Sequence, residues 1–242
     1  MAVNQKKGIR LTDMDILRLY RPLHRCILCH NSDQSRICTD CRSLLPQIEN
    51  PCPVCAIPVM PTQSVCGQCL TKPPNFDYVH CVFLYRAPLD QLINGFKNRR
   101  QLTAGRALAE LLLEDLNAHY INDLMPNKIA AMPLFWRKQW WRGFNQSLFL
   151  SHYLSRKLSI EHFNGLKRIR SNDEQKTLNR RQRLQNLKDC FFVKKPLNGE
   201  TVAVVDDVVT TGATANAVAK TLKQAGAGKV IIWAIARTPS YC

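Results

Sequence analysis

Two sets of residues in this chain of 242 could do chemistry. The first is VVDDVVTTGATA at 204–215, where adjacent carboxylates, Asp206 and Asp207, end an apolar run and a threonine–glycine turn follows. The backbone N–H groups of 210–214, Ala213 included, lead into a helix and so make a cradle for a phosphate. Gly212 permits close approach, and the hydroxyls of Thr210, Thr211 and Thr214 add donors. Carboxylates cannot hold a phosphate, but beside such a cradle they suit sugar hydroxyls, directly or through a divalent cation. The combination points to a sugar phosphate. The spacing is neither G-x-x-x-x-G-K-[ST] nor G-x-G-x-x-G, so triphosphate and dinucleotide loops are excluded. The plainer alternative is a strand, a turn and a helix in which Asp207 caps and the threonines are incidental.

The second set is cysteine. Eight of the eleven fall in four C-x-x-C pairs: Cys26/Cys29, Cys38/Cys41, Cys52/Cys55 and Cys66/Cys69. Each such turn aims two thiolates at one point, and two turns complete a tetrahedral Zn²⁺ site. The pairs therefore suffice for one or two structural zincs. All-thiolate sites leave no open position for catalysis, and their binding energy is folding energy for a segment too small for its own core. Sequential pairing is the preferred arrangement, with crossed pairing (first with third, second with fourth) as the alternative. His24 and His30 flank the first pair and are read as bystanders. Zinc knuckles often carry glycine after the second cysteine, whereas His30 and Ala56 stand there, which predicts a looser site. A thioredoxin-type redox pair is the weaker reading, because it would be single and set in a βαβ unit.

These residues need elements to position them. A short helix is predicted over 11–21, the cysteine module over 22–72, and an α/β domain over 73–242, joined by TKPPNFD at 71–77. In that domain YVHCVFLY (78–85), KIAAMPL (128–134), CFFV (190–193), TVAVVDD (201–207) and KVIIWAIAR (229–237) read as strands. APLDQLINGFKN, LTAGRALAELLLEDLNAHY, NQSLFLSHYLSRKL (145–158) and GATANAVAKTLKQAGA read as helices. Strands alternating with helices predict a mostly parallel sheet flanked by helices. Ligands of such sheets bind beyond the carboxyl ends of the strands, where Asp206 and Asp207 stand.

Composition narrows the function. At 45% hydrophobic the chain can bury a core, and a net charge of +16 suggests a polyanionic partner. The opening MAVNQKKGIRLTDMD has no secretory leader pattern, and the longest apolar run, VIIWAIA, cannot span a bilayer. A cytoplasmic location without direct membrane insertion is expected. The stretch LFWRKQWWRGFNQS sets Trp136, Trp140 and Trp141 among Arg137, Lys138 and Arg142. Aromatics between cations are how sequence-tolerant proteins stack the bases of single strands while neutralising the backbone. Core packing is the competing role, although adjacent Trp140 and Trp141 do not easily both face inward. Residues 166–195 add ten Lys/Arg against three Asp/Glu, net +7, and Arg180 and Arg181 there join the same DNA surface.

VVDDVVTTGATA is similar to the phosphoribosyl pyrophosphate (PRPP) signature of type I phosphoribosyltransferases. Together with RGFNQS at 142–147, QKTLNRRQRLQNLKDCFFV at 175–193 and the cysteine module, it makes the chain resemble the ComF-type competence family over about 22–238. The resemblance implies a type I phosphoribosyltransferase-like domain behind a zinc ribbon. It gives Asp206 and Asp207 the ribose hydroxyls, and with them the catalytic role, and the following loop the 5′-phosphate. The turn after AAMPL becomes a diphosphate loop near Arg137 and Arg142, with Mg²⁺ on the diphosphate. Residues 166–190 become a mobile hood contributing Arg168, Gln175, Arg183 and Asn186. The implied function is the handling of incoming single-stranded DNA in natural transformation, with PRPP as a ligand and a helicase or other DNA-uptake protein as partner. The alternative is an active transferase moving ribose 5-phosphate to a nucleobase or amine, although no acceptor-reading residues stand out.

Overall fold

In the computed structural model the described residues are 24–120, 125–134, 144–169 and 190–239. Contacts divide the chain into two compact units, Met1–Leu44 and Leu45–Cys242. In the first, β1 (His24–Arg25) pairs antiparallel with β2 (Ser32–Asp33), and α1 (Thr39–Ser43) follows. Its buried side chains among the described residues are Ile37 and three cysteines, so it has almost no apolar core. The expected helix over 11–21 lies outside the described residues.

The larger unit opens with the remaining cysteines and α2 (Gly67–Thr71), then builds a sheet. Strand β3 (Tyr78–Leu84) leads to helices α3 (Leu89–Arg99) and α4 (Leu102–His119). Next come β4 (Lys128–Ala131), α5 (Gln146–Leu158), and short β5 (Glu161–His162) and β6 (Leu166–Arg168). The chain closes with β7 (Phe191–Val193), β8 (Thr201–Val209), α6 (Ala213–Gln224) and β9 (Lys229–Arg237). Five strands form one sheet in the order β3-β9-β8-β4-β5, and every pairing in it is parallel. The expected parallel sheet with flanking helices is therefore present. Parallel strands are covered on both faces, which is why Val202–Val205 and Val230–Ala236 read as unbroken apolar runs and are buried throughout.

Two features were not read from the sequence. First, β6 pairs antiparallel with β7, because Leu166 and Phe191 bury themselves at the foot of the basic segment. Second, the stretch 71–77, which looks like a linker, is fastened to the sheet. Asp77 N–H donates to the Val230 carbonyl at 2.9 Å, and Val230 N–H returns a bond to the Asp77 carboxylate at 2.7 Å. Buried Phe76 lies under the turn at Gly212. One continuous core then runs from Cys52, Cys55 and Ile57 through Val79 to Val202, Val204, Val218 and Ile232. Val79 N–H also donates to the Val54 carbonyl at 2.9 Å, so backbone as well as side chains join the second cysteine cluster to β3.

Candidate functional site

Both cysteine clusters assemble sequentially. The thiol sulfurs of Cys26, Cys29, Cys38 and Cys41 lie within 4.8 Å of one another, as do those of Cys52, Cys55, Cys66 and Cys69. Crossed pairing is thereby removed, and among the described side chains each group is made of four cysteines alone. The donor sets fit Zn²⁺, which would be four-coordinate and closed in each. Burial alone would raise the Cys26 and Cys52 thiols, but neighbouring backbone N–H groups bring them down to about 6 and about 7. Burial pushes the Cys41 and Cys69 thiols up. A cation must displace those last protons, so metal uptake releases protons and tightens with pH. His30 (φ 64°) and Ala56 (φ 55°) adopt the left-handed conformation that glycine would occupy. The turns close without glycine, at the cost of local strain.

The acid pair stands where the strand order reverses. From β4 the chain moves outward to β5, whereas β8 leads to β9 on the other side, so the switch lies between β4 and β8. Strand β8 runs further than expected, to Val209, but its pairing with β4 stops at Ala131–Val205, with Met132 N–H closing on the Val205 carbonyl at 2.8 Å. Asp206–Val209 therefore keep β9 on one side and lack β4 on the other, which opens the crevice where ligands of such sheets bind.

Neither aspartate is alone. Ser147 Oγ, near the start of α5, donates to Asp206 Oδ1 at 2.9 Å, and so does Asp207 N–H at 2.9 Å. Lys97 Nζ, near the end of α3, pairs with Asp207 Oδ1 at 2.9 Å. Burial first, and the neighbouring Asp207 charge second, push the Asp206 carboxyl up to about 7, against the opposing pull of Ser147 and Lys97. Asp206 thus holds its proton close to neutrality, and a cation arriving there would displace it.

After the acids, Thr210 and Thr211 are exposed, and Gly212 turns the chain at φ 74° into α6. An added Cβ at Gly212 would strain the backbone at that φ although it meets no clash. No side chain caps α6; Thr211 Oγ1 accepts from Ala213 N–H at 3.3 Å. The resulting hollow, about 40 Å³, is lined by Asp206, Thr210, Gly212 and Thr214 among others. That is room for one anionic group, not for a whole nucleotide. A larger groove of about 740 Å³ lies between α4 and α5, lined by Leu102, Phe149 and Tyr153 with Arg106, Arg156 and Lys157 at its rim. It holds neither the acid pair nor the loop, so the smaller hollow is the candidate site.

Of the other residues named from sequence, Arg168 lies in β6 with its guanidinium over the Phe191 ring at 5.5 Å. Trp136, Arg137, Lys138, Trp140, Trp141 and Arg142 lie outside the described residues, as do Gln175, Arg180, Arg181, Arg183 and Asn186. Sequence reasoning missed Lys97, Ser147 and Arg237. Ser147 sat inside a quoted motif, RGFNQS. Nothing local marks Lys97 or Arg237, each of which meets the site across more than a hundred or some tens of residues of chain.

Among the described residues no helix is long and apolar enough to cross a membrane. The double zinc ribbon domain family matches residues 16–70. DNA utilization protein YhgH of Escherichia coli K12 is 38% identical over 205 residues, covering 84% of this chain and 90% of its own length. Competence protein F of Haemophilus influenzae is 34% identical over 222 residues, covering 88% and 96%. Among solved structures, a purine phosphoribosyltransferase from Pyrococcus horikoshii is similar over 54% of this chain and 80% of its own, at 18% identity and a TM-score of 0.35. With relatives at this identity aligned over most of both chains, the protein belongs to the ComF-type competence family.

Proposed function

We propose that this protein handles incoming single-stranded DNA in the cytoplasm during natural transformation, and that it binds PRPP at the loop joining β8 to α6. The observation that carries the PRPP reading is the pairing of Asp206 and Asp207 with the open first turn of α6. The loop amides and threonine hydroxyls suit the 5′-phosphate, and Asp206 suits a ribose hydroxyl or a Mg²⁺ that comes with the diphosphate. Lys97 holds Asp207 in place and lowers the local negative charge that would repel the ligand. The DNA reading rests on family membership, on the +16 charge and on the aromatic–basic stretch 136–142. A helicase or other DNA-uptake protein is the partner this role calls for.

The test is calorimetric titration of PRPP with Mg²⁺ into the wild type and into Asp206→Asn/Asp207→Asn. Binding present in the first and lost in the second supports the site; no binding to folded wild type sinks it. DNA affinity should fall steeply with salt and drop in Trp140→Ala/Trp141→Ala. A salt-independent affinity, or one indifferent to the two tryptophans, overturns the DNA surface. Turnover is the alternative reading of the same acid pair, and it stands only if PRPP is consumed when a nucleobase or amine is supplied.

A further inference from the structure

Arg237 ends β9 and is only 1% exposed, yet it carries a permanent charge. Its guanidinium donates to four backbone carbonyls and, among the described residues, to no carboxylate. Nε donates to Cys55 at 2.9 Å, and Nη1 donates to Val209 at 3.0 Å, to Thr210 and to Thr238 at 3.2 Å. Cys55 is a ligand of the second cluster, whereas Val209 and Thr210 are the last residues before the turn at Gly212. The Cys81 thiol feels Arg237, Asp206 and Cys55 together, so the first of the two acids, the arginine and the second cluster lie near one another.

A buried cation without a carboxylate is costly unless every donor is met and a negative charge lies near. Four thiolates around one Zn²⁺ would leave a dianionic centre, a countercharge close to this position. Removing the metal lets the thiolates take up protons, which lowers that charge, and it loosens the turn that presents the Cys55 carbonyl. The fork would then lose one end while its other end still grips the loop.

We propose that Arg237 is a positioning residue which ties the second zinc site to the loop between β8 and α6, so that metal in that site holds the loop in its binding shape. The consequence for PRPP rests on the reading of that loop given above; the mechanical coupling does not. Lysine cannot replace the arginine, because a point charge does not span two separate carbonyl sets.

Amide hydrogen exchange on the full chain tests the coupling. The reporters are the peptide covering 206–216 and the Thr238 N–H, which donates to the Val209 carbonyl at 3.0 Å. Wild type, Arg237→Lys, Cys69→Ser and Cys41→Ser are compared, with zinc content measured for each. Arg237→Lys and Cys69→Ser should quicken exchange at the reporters by roughly tenfold or more, the loss expected of one charge-assisted hydrogen bond. Cys41→Ser should lose one zinc and leave the reporters unmoved. Unmoved reporters in Arg237→Lys, or an equal response to Cys41→Ser, overturn the proposal. If Cys69→Ser loses protection throughout β8 and β9, Arg237→Lys alone decides. Failure of wild type to bind PRPP would remove the PRPP reading, while the exchange result would still decide the coupling.

Discussion

In the first cysteine cluster Cys38 N–H donates to Cys26 Sγ at 3.4 Å; in the second, Cys66 N–H donates to Cys52 Sγ at the same 3.4 Å. Each has a left-handed residue after its first pair and a five-residue helix after the first cysteine of its second pair. The surroundings differ. Cys29 of the first cluster is exposed, and among the described residues of its unit only Ile37 is buried beside the cysteines, so a bound metal would supply most of what holds that segment together. All four cysteines of the second are buried and share a core with β8, β9 and α6. Identical ligand chemistry therefore serves two ends: one site makes a small segment fold, and the other is a wall of the domain that carries the acid pair.

The largest effect that could break this contrast is loss of one site at a time. Cys69→Ser should lower the stability of the unit 45–242 by several kcal/mol, on the order of what a structural metal contributes. Cys41→Ser should leave the main thermal transition of that unit where it is. Calorimetric scans of both variants settle the matter: equal shifts would mean that the two ribbons are not distinct in this way.

A smaller effect sharpens it. Asp206 keeps its proton to about 7 in the folded chain but releases it near 3.8 when unfolded. Between those values the native state binds more protons, so its stability falls as pH rises from about 4 to about 7 and is level above that. Asp206→Asn should remove this fall and raise stability at pH 8 by on the order of 1 to 2 kcal/mol, given that the carboxyl is only partly buried. The gain should appear in the same transition that Cys69→Ser lowers. Unfolding curves at pH 5 and pH 8 that show no difference between variant and wild type would contradict it. A substitution that stabilises the fold while abolishing PRPP binding is the signature of a functional site.

Smallest of all, His30→Gly and Ala56→Gly should each relieve a left-handed residue and stabilise by up to about 1 kcal/mol. The first gain belongs to the small unit, read as slower zinc loss to a chelator. The second belongs to the large unit and should show as a higher melting temperature. A destabilisation by either would mean that the side chain contributes contacts which outweigh its backbone strain.

The sequence by itself determined the ligands, the loop and the alternation of elements. C-x-x-C turns, an acid pair after an apolar run, and a glycine before a helix are local patterns, and local backbone geometry gives each its meaning. Its helices and long strands were legible because their apolar periods are local too, and strand β8 ran past the expected end only because β9 continues to pair with it. Tertiary structure decided the rest. Either pairing of cysteines satisfies the same spacings, and only the folded chain shows which thiols meet. Lys97 reaches Asp207 from another helix, Ser147 reaches Asp206 from a third, and Arg237 joins Cys55 to Val209 across the sheet. Such contacts depend on where separate elements are packed, and no period or spacing along the chain encodes that. The second ribbon's merger with the domain core has the same cause: its apolar residues are too few to bury one another, and it is the sheet that covers them.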